Sequence, residues 1–226
     1  MSWQEWVRGA EIEPSIYTAD FSRLGEQIET VMRAGARIFQ FDVGDGHFIE
    51  PITIGPIVLK SISPLVHELG GVLDCHLMTE APEKHFRAIA EAGGDSVTVH
   101  YEACDDLTGV IRQARELDLG AGVAFNPETE PEAVVEAAGE IVDLVLCMSI
   151  HPGYSGQPFM PESIPRVRRL RELLDDGVYI QVDGGVGPDN VRDLHEAGAE
   201  LFVAGTSIFG QEDIAAAYRG LAAMAA

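Results

Sequence analysis

The stretch Gln40-Phe41-Asp42-Val43-Gly44-Asp45-Gly46-His47-Phe48 joins a buried-strand pattern to a loop of acids, glycines and a histidine. Ile38, Phe39, Phe41 and Val43 suit a strand interior. Gly44 and Gly46 permit backbone angles and close ligand approach that other residues resist. A strand ending this way reads as the opening of an active site, whereas the same residues in isolation would make an acidic surface turn. The rest of the chain has to decide between the two.

Outward from that stretch, strand-like and helix-like patterns alternate from end to end. Strands are expected at 12–17, 38–43, 72–78, 96–101, 121–125, 144–149, 178–182 and 201–204, with helices at 20–34, 55–66, 82–92, 107–117, 131–141, 161–174, 188–197 and 214–225. Ala34-Gly35-Ala36, Ala92-Gly93-Gly94 and Ala197-Gly198-Ala199 each close a helix just before a strand, where a glycine cap makes the tight return. Eight such units with near-continuous apolar strands imply a parallel (β/α)8 TIM barrel of the α/β class. A doubly wound open sheet is the rival, but no Gly-x-Gly-x-x-Gly follows the first strand. At 226 residues the chain fits one domain, 1–226, with 1–11 as an N-terminal extension.

Composition narrows the function. Hydrophobic residues make up 46% and charged residues 23%, ordinary globular usage. The formal charge of −22 comes from 37 acids against 15 bases, and the lysines are Lys60 and Lys84. Nucleic acid is an unsuitable partner for such a surface, since phosphate backbones are bound by clustered Lys and Arg. The acidic, lysine-poor balance suits a salty cytoplasm, although a GC-rich genome would favour Arg and Ala for unrelated reasons. An anionic substrate would be repelled at long range, so backbone amides or a metal must meet its charge locally. Cys75, Cys104 and Cys147 fit reduced core thiols. The N-terminus has no basic region followed by an apolar run, and no segment is apolar for long enough to span a bilayer, so a cytoplasmic protein without membrane contact is expected.

In such a barrel, chemistry sits at the C-terminal ends of the strands. The polar residues there are Ser15; Gln40, Asp42 and Asp45; Asp74, His76 and Met78; His100 and Glu102; Asn126; Met148, Ser149 and His151; Asp183; and Gly205-Thr206. Asp42, His76 and Asp183 come from three strands and should converge at the mouth. Two carboxylates and an imidazole suit a divalent metal, with Gln40 able to add an amide oxygen. The two carboxylates could also act as acid and base. Glycine-rich exits at Pro152-Gly153-Tyr154-Ser155-Gly156-Gln157, Asp183-Gly184-Gly185 and Gly205-Thr206-Ser207 match a phosphate cradle of backbone amides. Arg166, Arg168, Arg169 and Arg171 read as a solvated helix face.

Glu13-Pro14-Ser15-Ile16, Phe41-Asp42-Val43 with Asp45-Gly46-His47-Phe48, Asp74-Cys75-His76-Leu77-Met78, Pro152-Gly153-Tyr154-Ser155-Gly156-Gln157, Val182-Asp183-Gly184-Gly185 and Ala204-Gly205-Thr206-Ser207-Ile208-Phe209 together resemble the ribulose-phosphate 3-epimerase family. The resemblance runs in register from about residue 12 to 209. It implies a (β/α)8 isomerase that interconverts ribulose 5-phosphate and xylulose 5-phosphate. It implies further that Asp42 and Asp183 are the acid/base pair, one on each face of C3, and that both hold a divalent ion with His76. Ser15 would contact substrate, with His76, Met78 and Met148 lining its pocket. Gly153, Tyr154, Ser155, Gly156, Gly184, Gly185, Gly205 and Thr206 would hold phosphate. The ion could be Zn, Mn, Fe, Co or Mg, and self-association is expected, with Trp3, Trp6 and the alanine-rich last helix as contact surfaces or as core.

The departures matter as much. Where the family pattern has His-x-Asp-Val-Met-Asp-Gly-His-Phe, Gln40 replaces the first histidine and Gly44 the methionine; the usual Val-Pro-Asn is Ile49-Glu50-Pro51, and Gln181 stands for a Glu. An amide oxygen favours Mn²⁺ or Mg²⁺ over zinc relative to imidazole. Gly44 could open room for a larger sugar, so a 3-epimerase of a hexulose 6-phosphate is an alternative, as is a barrel that binds sugar phosphate without catalysis.

Overall fold

The strands are built from runs of Val, Ile, Leu, Phe and Ala that would expose apolar surface on both faces if left alone, and they solve this by pairing side by side in parallel under a layer of helices. The computed structural model describes residues 2–226. Among them, the strands are β1 Glu11–Pro14, β2 Ile38–Gly44, β3 Val72–Met78, β4 Ser96–His100, β5 Gly120–Phe125, β6 Leu144–Met148, β7 Tyr179–Asp183 and β8 Leu201–Ala204. The helices are α1 Trp3–Trp6, α2 Leu24–Ala34, α3 Pro56–Glu68, α4 Phe86–Ala92, α5 Leu107–Arg115, α6 Pro131–Ala138, α7 Ser163–Leu173, α8 Val191–Glu196, α9 Thr206–Phe209 and α10 Ile214–Ala225. The sheet order is β1-β8-β7-β6-β5-β4-β3-β2, all parallel, and a Ser15 to Gln40 bridge brings the two ends together. This is the expected TIM barrel.

The interior is layered. On β2, Phe39, Phe41 and Val43 face outward into the large core shared with the helices, while Ile38 belongs to a second cluster with Trp3, Trp6, Val72, Leu144 and Leu201. That second cluster closes one end of the barrel. α1 supplies its plug, with Trp3 1% and Trp6 7% exposed and their rings 5.2 Å apart edge to face. A methyl group on Gly120 would stand 2.9 Å from the Trp3 indole nitrogen, so the glycine makes room for the plug. The tryptophans are therefore core residues of this chain and do not present a contact surface. Above this layer lie Glu13, Gln40, Asp74 and Gln181, all buried, and above them Asp42, His76 and Asp183.

The three expected helix-closing glycines, Gly35, Gly93 and Gly198, have φ of 122°, 88° and 111°, values that side chains rarely adopt. Several boundaries shift for identifiable reasons. β1 stops at Pro14 because Ile16–Thr18 turns into a 3-10 helix, with Thr18 Oγ1 donating to Ser15 O at 2.9 Å. α8 begins at Val191 because Gly187 N is held by Asn190 Oδ1 at 2.9 Å in a preceding turn. The arginines of α7 divide. Arg169 is an exposed partner of Glu132 and Glu172. Arg166, read from sequence as solvated, is instead half-buried over the Phe125 ring and donates to the carbonyls of Met148, Asn126 and Thr129. It ties the ends of β5 and β6 together, and Arg171 similarly donates to Leu174, Asp175 and Val178 carbonyls.

Candidate active site

Register brings the site into being. Asp42 pairs with His76 across the β2–β3 ladder, and Met148 pairs with Asp183 across β6–β7. The alternation along each strand points Asp42, His76 and Asp183 inward at one level. His76 Nδ1 lies 3.1 Å from Asp42 Oδ1 and 3.6 Å from Asp183 Oδ2. One ligand atom from each of the three falls within 4.8 Å of the others. Ser15, where β1 turns away, donates its hydroxyl to Asp42 Oδ2 at 2.5 Å.

The electrostatics follow from that crowding. Burial works against a charge on His76, but its hydrogen bond to Asp42 and the charges of Asp42 and Asp183 outweigh this and raise its pKa. Asp183 is pushed up to about 7, first by burial and then by the Asp42 carboxylate, with His76 opposing. Two acids converging on one imidazole fit a divalent cation, and the oxygen, nitrogen, oxygen donor set is one that such ions accept.

Gln40 departs from expectation. Its Nε2 donates to Asp42 Oδ1 at 3.2 Å and its Oε1 accepts from Gln181 Nε2 at 3.5 Å. The amide therefore orients Asp42 and turns its oxygen away from the cluster. Gln181 also donates to Glu13 at 2.5 Å and Asp74 at 3.3 Å, so the two glutamines form one network beneath the site. Asp74 lies below the mouth in that network, taking hydrogen bonds from Ser96 and Thr98. Asp45 is likewise a loop clamp, accepting from the backbone of His47, Phe48 and Glu80.

Two clefts meet at Asp183. One is lined by Ser15, Asp42, Met78, Met148, Gly153, Tyr154 and Ser155. The other runs between Ser155, Gly156, Gly184, Gly185, Gly205 and Thr206. Every sequence-derived pocket residue thus borders one of them or the cluster itself. Gly185 has φ of 63°, and a methyl group on it would stand 2.7 Å from Phe159 N, so only glycine fits this exit. Sequence reasoning missed Tyr17, Thr18 and Ile150, which border the clefts. Tyr17 closes the expected strand 12–17 and Thr18 lies just beyond it, and a Ser-x-x-Thr turn is the signal that could have found them.

The room expected at Gly44 is filled. A methyl group there would meet Ile49 Cδ1 at 2.5 Å and Pro51 O at 3.0 Å. Ile49 is 5% exposed and occupies the space, so the loop change compensates the missing side chain and removes the reason to expect a longer sugar.

The chain matches the family model described as the ribulose-phosphate 3 epimerase family over residues 11–209. The chain belongs to the ribulose-phosphate 3-epimerase family. Relatives named ribulose-phosphate 3-epimerase include that of Synechocystis, 43% identical over 93% of this chain and 92% of the relative, and that of Bacillus subtilis, 41% identical over 90% and 94%. Among solved structures, 3-hexulose-6-phosphate synthase from Salmonella typhimurium superposes with a TM-score of 0.72 at 18% identity, covering 95% of this chain and 98% of that one, a likeness of fold. As a member of the epimerase family the protein is an isomerase that acts on a sugar phosphate.

Proposed function

We propose that Asp42 and Asp183 interconvert D-ribulose 5-phosphate and D-xylulose 5-phosphate by two-base proton transfer at C3. The observation that carries this reading is their placement on two different strands, β2 and β7, with both carboxylates converging on His76 Nδ1 at 3.1 and 3.6 Å. One carboxylate takes the C3 proton from one face, and the other delivers a proton to the opposite face; a single base would return the starting epimer. Asp42, held by Ser15 and Gln40, is fixed in orientation for its share.

Asp42, His76 and Asp183 hold the divalent ion in this reading. When bound, it supplies positive charge beside the oxygens on which negative charge builds as the proton leaves. Met78 and Met148 give the cleft an apolar wall, and the Gly153–Gly156, Gly184–Gly185 and Gly205–Thr206 exits cradle the phosphate through backbone N–H groups, needing no lysine. One catalytic domain over 1–226, with 1–11 as its extension, association of copies and a cytoplasmic setting complete the proposal. Among the described residues no helix is long and apolar enough to cross a membrane.

The test follows C3 proton exchange on ribulose 5-phosphate in D₂O by NMR, with metal-stripped protein and Mn²⁺, Zn²⁺, Mg²⁺ or nothing added. Metal-dependent exchange with xylulose 5-phosphate accumulating is expected. Exchange and product formation unchanged by thorough metal removal would overturn the metal's part, and no exchange with any ion would overturn the substrate.

A further inference from the structure

His76 has a second nitrogen that the proton transfer does not use. Its Nε2 lies 2.9 Å from His100 Nε2 on the neighbouring strand β4, with the two rings 5.0 Å apart and 23° from parallel. Both histidines are wholly enclosed. Two imidazole nitrogens this close need one proton between them, and the pair alone does not say which ring owns it.

The rest of the line does. His100 Nδ1 lies 3.3 Å from Glu102 Oε2. Glu102 is itself pinned, its Oε1 accepting from Asn126 N at 2.8 Å and from the Thr129 hydroxyl. An ionised carboxylate can only accept, so His100 must donate through Nδ1, which leaves its Nε2 as a bare lone pair. The shared proton therefore belongs to His76 Nε2, so Nδ1, hydrogen-bonded to Asp42, is the nitrogen that gives up its proton when an ion binds. That is the nitrogen facing both aspartates. Phe48, 4.7 Å from His100 on the loop that follows β2, covers the outer side of the ring and helps hold its plane.

We propose that His100 and Glu102 are positioning residues that fix the ring orientation and tautomer of His76, presenting Nδ1 to a divalent ion held with Asp42 and Asp183. This rests on the metal-binding reading above and extends it from the three ligands to the two side chains behind one of them. Such outer partners ordinarily matter about 10–100-fold in metal affinity or activity. Neither residue touches substrate in this account. The arrangement makes the loop after β4 part of the metal site, although it contributes no ligand.

Two measurements test it. In the unaltered protein with ¹⁵N-labelled histidine, long-range ¹H–¹⁵N spectra are expected to show His100 protonated at Nδ1 and bare at Nε2, with His76 protonated at Nε2, in the Mn²⁺-free, Zn²⁺-loaded state. A proton on His100 Nε2 would overturn the proposal. The second measurement titrates Mn²⁺ into unaltered protein, His100→Phe, Glu102→Ala and Glu102→Gln. His100→Phe keeps the ring and its stack but removes the acceptor, and is expected to bind Mn²⁺ about 10–100-fold more weakly. Glu102→Gln, whose amide oxygen still accepts from Nδ1–H, is expected to recover most of the affinity lost in Glu102→Ala. In turnover, kcat should fall in His100→Phe at saturating sugar phosphate with KM little changed, because the phosphate cradle lies on other strands. Undiminished Mn²⁺ affinity in His100→Phe, alongside normal binding by the unaltered protein, overturns the positioning role alone. Absence of binding by the unaltered protein overturns the metal reading and this inference with it.

Discussion

Asp42 and Asp183 converge on one imidazole yet sit in different surroundings. Asp42 receives Ser15 and Gln40 as donors, whereas Asp183 has its pKa lifted to about 7 by burial and by its neighbour's charge. That asymmetry gives the two carboxylates distinct surroundings for opposite parts in a proton transfer. Replacing either, as Asp42→Asn or Asp183→Asn, is expected to lower kcat by about 10²–10⁴-fold, the usual worth of a positioned acid or base. The informative readout is C3 hydrogen exchange in D₂O, with metal content measured alongside. Each variant should wash deuterium into only one of the two pentulose phosphates, without converting it, because the surviving base can remove and return a proton on its own face alone. At this scale the sequence was legible for residues whose chemistry is distinctive and whose place is a strand end, which covers Asp42, His76 and Asp183. It was less legible for Gln40, since an amide can face a carboxylate with either end, and only the neighbouring Gln181 decides which.

At the scale of elements, β2 and the loop after it show how a local departure is absorbed. Gly44 removes a side chain from the pocket wall, and Ile49 folds back into the space, while Thr53 holds the strand end by accepting from Gly44 N at 2.6 Å and donating to Asp42 O at 2.7 Å. Gly44→Ala is expected to destabilise the fold by about 1–3 kcal/mol through overpacking, read by urea unfolding. Ile49→Val removes the Cδ1 that stands 2.5 Å from the new methyl, so the double variant should recover part of the loss rather than add to it. Additive losses would mean that the loop does not occupy the wall. The presence and order of strands and helices were readable because apolar periodicity reports a face directly, while several of their ends were not. The filling of Gly44 by a residue five positions on was not, because it depends on the path of an irregular loop.

At the scale of the whole molecule, the barrel carries a polar layer through its centre between the Trp3 plug and the active site. Glu13 is fully buried there, and its pKa is raised well above 4.5 by burial first and by the Asp74 charge second, with Gln181 opposing. A raised folded-state pKa means that the native protein binds the proton more tightly than the unfolded chain. The associated stability is present below the ordinary glutamate pKa and is lost as pH rises through the folded value. The stability of Glu13→Gln relative to the unaltered chain is therefore expected to grow as pH climbs above 4.5, and a pH series of urea unfolding curves checks this. A difference that shrinks with rising pH would show that Glu13 is held ionised. A bound ion adds to stability by mass action, about 2.7 kcal/mol at 100 times its Kd. Chelation is then expected to lower the melting temperature by roughly 5–10 °C for a chain of this size.

What the sequence by itself determined was the alternation of elements, the parallel barrel, the family and the convergence of Asp42, His76 and Asp183 at one end of it. These follow from short-range patterns repeated eight times and from a topology that puts every strand end at the same mouth. What only the tertiary structure decided were relations between strands far apart in the chain. Gln181 faces Gln40 across the barrel, Glu102 assigns a proton two rings away, Arg166 seals the ends of β5 and β6, and Ile49 replaces a missing wall. Each depends on which of several allowed partners the fold brings within contact distance, and residue type and spacing do not encode that choice until the ladder register is set.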